Sequence, residues 1–226
     1  MKGERVARTS RREPDRWRRA LSERAVFLGT LAESGLGDRL SRLADIVAEA
    51  MAAGGKVLLF GNGGSAADAQ HAAAEWVGRF LTDRNPLPAI ALSTDTSVLT
   101  AVGNDYGFDR VFERQVEALA RPGDVAIGIS TTGESENVVR ALRAAKRRGA
   151  AAAALLGSGG GRAGRLADPA LVVPGARVPL IQEAHGILLH LLCEEVERRL
   201  KKRVVGRSRP GGAARSRTGG KRRGRG

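Results

Sequence analysis

Apolar residues recur at helical spacing from residue 17 to about residue 53, at Leu21, Val26, Leu28, Leu31, Leu40, Leu43, Ile46 and Val47. Gly35-Leu-Gly37 interrupts the pattern, so two helices are expected there. From Lys56 onward the period changes, and short apolar runs alternate with longer amphipathic stretches. Residues 56–60, 88–92, 124–130, 151–156 and 171–173 read as strands. Residues 65–80, 96–102, 110–120, 135–148 and 180–201 read as helices, and Gly149 is a fitting stop for the fourth. The alternation predicts an α/β fold: a doubly wound parallel β-sheet of about five strands flanked by helices, with further helices at the N-terminus. Such sheets bind ligands beyond the carboxyl ends of their strands.

The charge divides the chain into three. Its 226 residues carry a net charge of +14, but residues 201–226 contain eleven Lys/Arg and no acid, and residues 1–20 contain eight against three. The stretch between them is slightly acidic. A folded domain over 21–200 is therefore expected, with basic, disordered ends at 1–20 and 201–226. A basic tail is a candidate for nucleic-acid contact, but 201–226 has no aromatic residue on which a base could stack, so a solvated tail is the expected reading. The single Cys193 excludes an intrachain disulfide framework and sits in an apolar helical run. The Arg-rich N-terminus lacks an apolar segment before a cleavage site, and no apolar stretch is long enough for a bilayer span. A soluble, cytoplasmic protein is expected.

Two of the expected strand ends are rich in Gly, Ser and Thr. Gly61-Asn-Gly-Gly-Ser65 leads into an Ala-rich helix bearing His71 and Glu75 one turn apart. Ser130-Thr-Thr-Gly-Glu-Ser135 places four hydroxyls and a run of backbone N–H groups before another helix. Those donors and the helix dipole suit a phosphate monoester, although Ser135 is equally well a plain N-cap. Neither loop matches a P-loop or a dinucleotide fingerprint. Gly157-Ser-Gly-Gly-Gly161 also follows a strand, has few side-chain donors, and reads as a flexible connection.

From about Leu21 to Leu200 the chain resembles the sugar isomerase (SIS) domain family, and within it the phosphoheptose isomerases. The carriers are Gly61–Ser65, Asp68-Ala-Gln-His71, Glu75, Gly78-Arg-Phe80, Val102-Gly-Asn-Asp-Tyr-Gly-Phe108, Gly123-Asp-Val125, the 130–135 loop and Ile181-Gln-Glu-Ala-His185. The resemblance implies that Asn62, Gly63, Gly64 and Ser65 line the sugar, with Asn104 and Asp105. It implies that Ser130, Thr131, Thr132 and Ser135 hold the phosphate; Thr132 stands where the family usually has Ser. His71, Glu75, Gln182 and His190 match the positions that hold one zinc ion, Glu75 and Gln182 also meeting substrate. Helical periodicity supports His71 with Glu75, but on the last helix Glu183 or His185 would pair as plausibly as Gln182 or His190. Pro179 and Leu180 stand where some members carry an Asp and an Arg.

The implied reaction is the isomerisation of sedoheptulose 7-phosphate to D-glycero-D-manno-heptose 7-phosphate through an enediol, with Glu75 and His190 as the acid/base pair. Work near neutrality asks for a carboxyl pKa raised by partial burial, which the Ala72–Ala74 surroundings would allow. The resemblance also implies a homotetramer. Three rival readings are an isomerase of another sugar phosphate, a sugar-phosphate-sensing regulator, and a non-catalytic SIS adaptor that binds a replication initiator protein. The adaptor resembles this chain less at the chemistry, lacking the carboxylate at the Glu75 position and the imidazole at the His190 position. Residues 1–55 are too short and irregular for the regulator's helix-turn-helix domain.

Overall fold

The computed structural model describes residues 13–175 and 177–207. The break near Gly35 separates α1 (Glu13–Ala32) from α2 (Leu36–Ala52). Gly35 caps α2 with a φ of 71°, a left-handed conformation that a β-carbon disfavours. Leu36, Leu40, Leu43, Val47 and Met51 form the buried stripe of α2.

Five strands follow: β1 (Val57–Gly61), β2 (Ala89–Ala91), β3 (Val125–Ser130), β4 (Ala151–Leu156) and β5 (Ala170–Val172). Between and after them come α3 (Gly64–Val77), α4 (Thr96–Tyr106), α5 (Val111–Leu119), α6 (Glu136–Arg147), the short α7 (Gly161–Gly164) and the long α8 (Val178–Arg207). The strands form one sheet of order β2-β1-β3-β4-β5, parallel throughout.

Alternate strand residues feed two cores. Leu59, Ile127, Ile129 and Leu155 pack with buried residues of α2, α3 and α8, including Val47, Trp76 and Leu192. Leu58, Phe60, Ala126 and Leu156 pack on the other face with Val111, Phe112, Val138 and Leu142 of α5 and α6. Burial of each large side chain contributes roughly 1.5–3 kcal/mol. A β-carbon on Gly128 would stand 2.9 Å from Val138 Cγ1, so its absence lets α6 close on the sheet.

The chain leaves β1 toward β2 on one side, then returns to place β3, β4 and β5 on the other. Ligand crevices form at such a switch point. Gly61 is in register with Ile129, so the loops after β1 and β3 leave the sheet side by side. These are the two Gly/Ser/Thr-rich loops.

Three expectations need correction. Residues 13–20 are helical rather than disordered, since α1 begins at Glu13; Arg and Ala favour helix even in so charged a segment. The last helix runs on to Arg207, into the stretch expected as tail. The rest of the expected disordered ends, 1–12 and 208–226, lies outside the described residues. The third concerns the glycine run 157–161, which is a close-packed support rather than a flexible connection. Gly157 N–H donates to the Ser130 carbonyl (3.3 Å) and Ala163 N–H to the Gly133 carbonyl (2.9 Å). A β-carbon on Gly157 would stand 2.6 Å from the Thr131 carbonyl oxygen. No helix among the described residues is long and apolar enough to cross a membrane.

Candidate active site

Helix α3 starts one short turn after β1 and projects His71 and Glu75 from one face, with His71 Nε2 3.1 Å from Glu75 Oε1. Helix α8 packs beside it through Ala184, Leu188 and Leu192, which share a core with Ala69, Ala72 and Ala73. That packing carries His190 to the same place. Its Nε2 stands 3.4 Å from His71 Nε2, and the two rings meet edge to face with centroids 4.9 Å apart. One donor atom each from His71, Glu75 and His190 lies within 4.8 Å of the others. Phe80 stacks on the His190 ring at 5.6 Å.

The loop that holds Phe80 is tied down by Glu197. This buried carboxylate accepts from Phe80 N–H (3.1 Å), the Thr82 hydroxyl (3.0 Å) and Arg84 Nε–H (2.9 Å). Burial alone would push the Glu197 carboxyl up, but the three hydrogen bonds and the Arg84 charge hold it below the ordinary carboxylate range. Arg84 also donates to the carbonyls of Glu75 and Trp76, both at 2.8 Å. These are orphan acceptors at the end of α3. Sequence reasoning missed Arg84 and Glu197. The available signal was an acid four residues after Cys193 on the apolar stripe of the last helix.

The open alternatives on α8 resolve by direction. Glu183 turns to α1 and pairs with Arg24 (2.8 Å). His185 is fully buried near the Leu156 carbonyl, and burial pushes its imidazole pKa down. Gln182 faces α3, but nearer its start than His190 does: a β-carbon on Gly64 would run into the Gln182 amide. Helices α3 and α8 therefore run in step, Gln182 meeting the first turn and His190 the second half.

The loop after β1 spends its one long polar side chain internally. Asn62 and Asn137 exchange two amide hydrogen bonds, at 2.9 and 2.8 Å, which tie this loop to the first turn of α6. Gly63 and Gly64 are exposed beside them, and Ser65 is buried. In the loop after β3, Ser130 Oγ accepts from Gly133 N–H (3.1 Å) and lies 3.3 Å from Ser135 Oγ. Thr132 Oγ1 accepts from Glu134 N–H (3.2 Å). Thr131 is half-buried and Thr132 exposed. The loop ends on α6, whose first N–H groups have no intrahelical acceptors. Asn104 and Asp105 lie apart from these groups, exposed late on α4, where Asn104 donates to Asp105 (2.8 Å).

Two imidazoles and a carboxylate form a donor set suited to a transition metal such as zinc. Ligands 2.0–2.1 Å from a tetrahedral ion stand about 3.3 Å apart, close to the 3.1 and 3.4 Å separations here. Two of the three separations thus match a shared ion, and all three donor atoms lie within 4.8 Å of one another, so the donor set fits a metal ion in kind.

Comparison with known proteins agrees with this architecture. Residues 28–157 match the SIS domain family. The phosphoheptose isomerase of Aquifex aeolicus (strain VF5) is 60% identical over 155 residues, covering 69% of this chain and 81% of that protein. That of Geobacter sulfurreducens is 55% identical over 168 residues, covering 74% and 89%. The solved structure of phosphoheptose isomerase GmhA from Neisseria gonorrhoeae superposes with a TM-score of 0.76 at 42% identity, covering 82% of this chain and 98% of that one. On this similarity of sequence and fold the chain belongs to the SIS domain family and, within it, to the phosphoheptose isomerases.

Proposed function

We propose that the chain is an aldose–ketose isomerase that converts sedoheptulose 7-phosphate to D-glycero-D-manno-heptose 7-phosphate. One observation carries the reading. A carboxylate from α3 and an imidazole from α8, Glu75 and His190, converge on His71, on the helix that leaves the loop after β1. The relatives described above carry the same activity in their names.

The reaction moves a proton between C1 and C2 of the sugar. One member of the Glu75/His190 pair takes the proton from C1 and the other hands a proton to the C2 oxygen; at the enediol the C1 oxygen then gives up its proton and C2 receives one, which gives the aldose. A positioned acid/base pair of this kind contributes about 10²–10⁴-fold. The Gly63–Gly64 backbone and Ser65 cradle the sugar, with Asn62 holding the loop's shape. Asn104 and Asp105, which lie apart from these groups within one chain, would reach the sugar only from another subunit of the proposed tetramer. Ser130, Thr131, Thr132, Ser135 and the first turn of α6 bind the phosphate, so that binding energy at the far end orients the reacting carbons. His71, Glu75 and His190 would hold the zinc ion; Gln182, expected as a fourth ligand, has its amide against Gly64, seven residues before His71, and is left to meet the substrate. When bound, the ion supplies Lewis-acid polarisation of the substrate carbonyl.

The proposed assembly is a homotetramer in the cytoplasm. What supports association is apolar surface that one chain leaves in solvent. Trp17, Leu21 and Val26 on α1 are each about two-thirds exposed or more, and Ile187 and Leu191 beside His190 are also exposed. An assembly would cover these side chains, and contiguous exposed apolar surface marks interaction sites. Light scattering in solution tests it, and a monomeric mass would overturn it. Activity is tested by supplying purified protein with sedoheptulose 7-phosphate and following aldose formation by NMR; no conversion would sink the proposal.

A further inference from the structure

A phosphate-binding loop has reason to avoid acids, yet Glu134 lies inside the 130–135 loop and Glu136 opens α6 behind it. A phosphate dianion at this helix end would face both carboxylates. A single side chain answers both. Arg162 of α7 donates through Nε to Glu134 Oε2 (2.7 Å) and through Nη1 to Glu136 Oε2 (2.6 Å). Its Nη2 donates to the Glu134 carbonyl (2.7 Å), and its own backbone N–H donates to Glu134 Oε1 (2.9 Å). Hydrogen bonding to Arg162 holds both carboxyls below the ordinary range. Arg140 gives Glu136 a second partner at 2.9 Å.

The backbone around Arg162 is built to reach the loop. Gly133 has a φ of +69°, and a β-carbon there would run into the Gly160 carbonyl. Ala163 N–H meets the Gly133 carbonyl at 2.9 Å. The segment 157–164 thus lies directly against the loop, which explains its run of glycines.

We propose that Arg162 is a positioning residue for phosphate binding: it offsets the charge of Glu134, shares that of Glu136 with Arg140 and, through the Glu134 carbonyl, fixes the turn that aims the loop's N–H groups at the phosphate. This inference rests on the reading of 130–135 as the phosphate loop. An exposed ion pair ordinarily adds little to fold stability. Four hydrogen bonds converging on one turn instead set the shape of that turn. Loss of Arg162 should therefore appear in substrate affinity rather than in folding or chemistry.

The test compares wild type, Arg162→Met, Glu134→Gln and the double variant. Inorganic phosphate is titrated calorimetrically, and kinetics are measured with sedoheptulose 7-phosphate. Arg162→Met should weaken phosphate binding and raise KM by about tenfold, the worth of one charge-assisted hydrogen bond, with kcat held within about twofold. The double variant should recover part of the affinity, because the carboxylate left uncompensated by Arg162→Met is then gone. Glu134→Gln, at an exposed position, keeps the test open should Arg162→Met fold poorly: it should lose affinity less than Arg162→Met does. The phosphate titration reads Arg162 even without turnover. A wild type that binds phosphate but does not isomerise the sugar would defeat the functional reading alone. Equal phosphate affinity in wild type and Arg162→Met, no phosphate binding by wild type, or a fall in kcat at unchanged KM would overturn the role of Arg162.

Discussion

The imidazole of His190 stands 3.4 Å from that of His71, although 119 residues separate them in the chain. Neither helix holds the cluster alone. The apolar packing of α3 on α8 brings the chemistry together, so any change that shifts α8 along α3 should act on activity before it acts on the fold.

The Glu197 network bears on the fold and on the cluster together. Glu197→Gln removes a buried charge opposite Arg84 and weakens the hold on the loop that stacks Phe80 against His190. Breaking one side of a buried pair typically costs about 3–5 kcal/mol. Denaturant unfolding should therefore show a marked loss, and kcat at a temperature where the variant is folded should fall with it. Stability within error of wild type would contradict this role.

Acid should weaken the protein through Asp124. Burial pushes this carboxyl up, but hydrogen bonds from the Lys56 ammonium (2.5 Å) and from the Lys56 and Arg121 backbone N–H groups (2.9 and 2.8 Å) bring it below its ordinary value. A depressed folded-state pKa contributes stability that is present above the unfolded value, near about 4, and is lost as pH falls through the folded one. At neutral pH, Asp124→Asn should cost about 2–3 kcal/mol. The gap between variant and wild type should narrow as the pH drops below 4. A gap that does not change with pH would contradict the assignment.

Metal binding should depend on α3 and α8 together. His71→Ala and His190→Ala should each abolish stoichiometric zinc in elemental analysis after dialysis, because two remaining ligands make a weak site. Gln182→Ala should have little effect, since its amide lies against Gly64 rather than against His71. Full zinc retention in His71→Ala would remove it from the ligand set.

Cys193 should be inert in the folded protein. Burial, reinforced by the nearby Glu75 and Glu197 charges, pushes its thiol up to about 12. The thiolate is the reactive form. A maleimide at pH 8 should label it only in denaturant, and rapid labelling of native protein would contradict the packing of α8 on α3.

The strand order was not written in the sequence, but the five strands and the alternation that built them were. Val57–Gly61 and Val125–Ser130 are apolar on both faces because both faces are covered, and the two loops at their ends were legible as Gly/Ser/Thr clusters. His71 with Glu75 was legible from helical spacing. The choice among Gln182, Glu183, His185 and His190 was not, because four neighbouring polar residues on one helix differ only in what they face. His185 faces the core and Glu183 faces α1, and only tertiary packing decides that. Arg84, Arg162 and Glu197 escaped notice because an Arg or Glu at such a place usually marks a solvated surface. The Gly157–Gly161 run was misread because glycine serves both flexibility and close backbone approach, and here Gly160 lies against Gly133.

In the proposed mechanism Glu75 and His190 move the proton. Sedoheptulose 7-phosphate incubated in deuterated buffer and followed by NMR tests it most directly, with wild type, Glu75→Gln and His190→Asn compared at equal folded concentration. Wild type should form the aldose with deuterium at C2. Each variant should retain its circular dichroism spectrum and lose about 10²-fold or more in rate. Near-wild-type conversion by either variant would contradict the account.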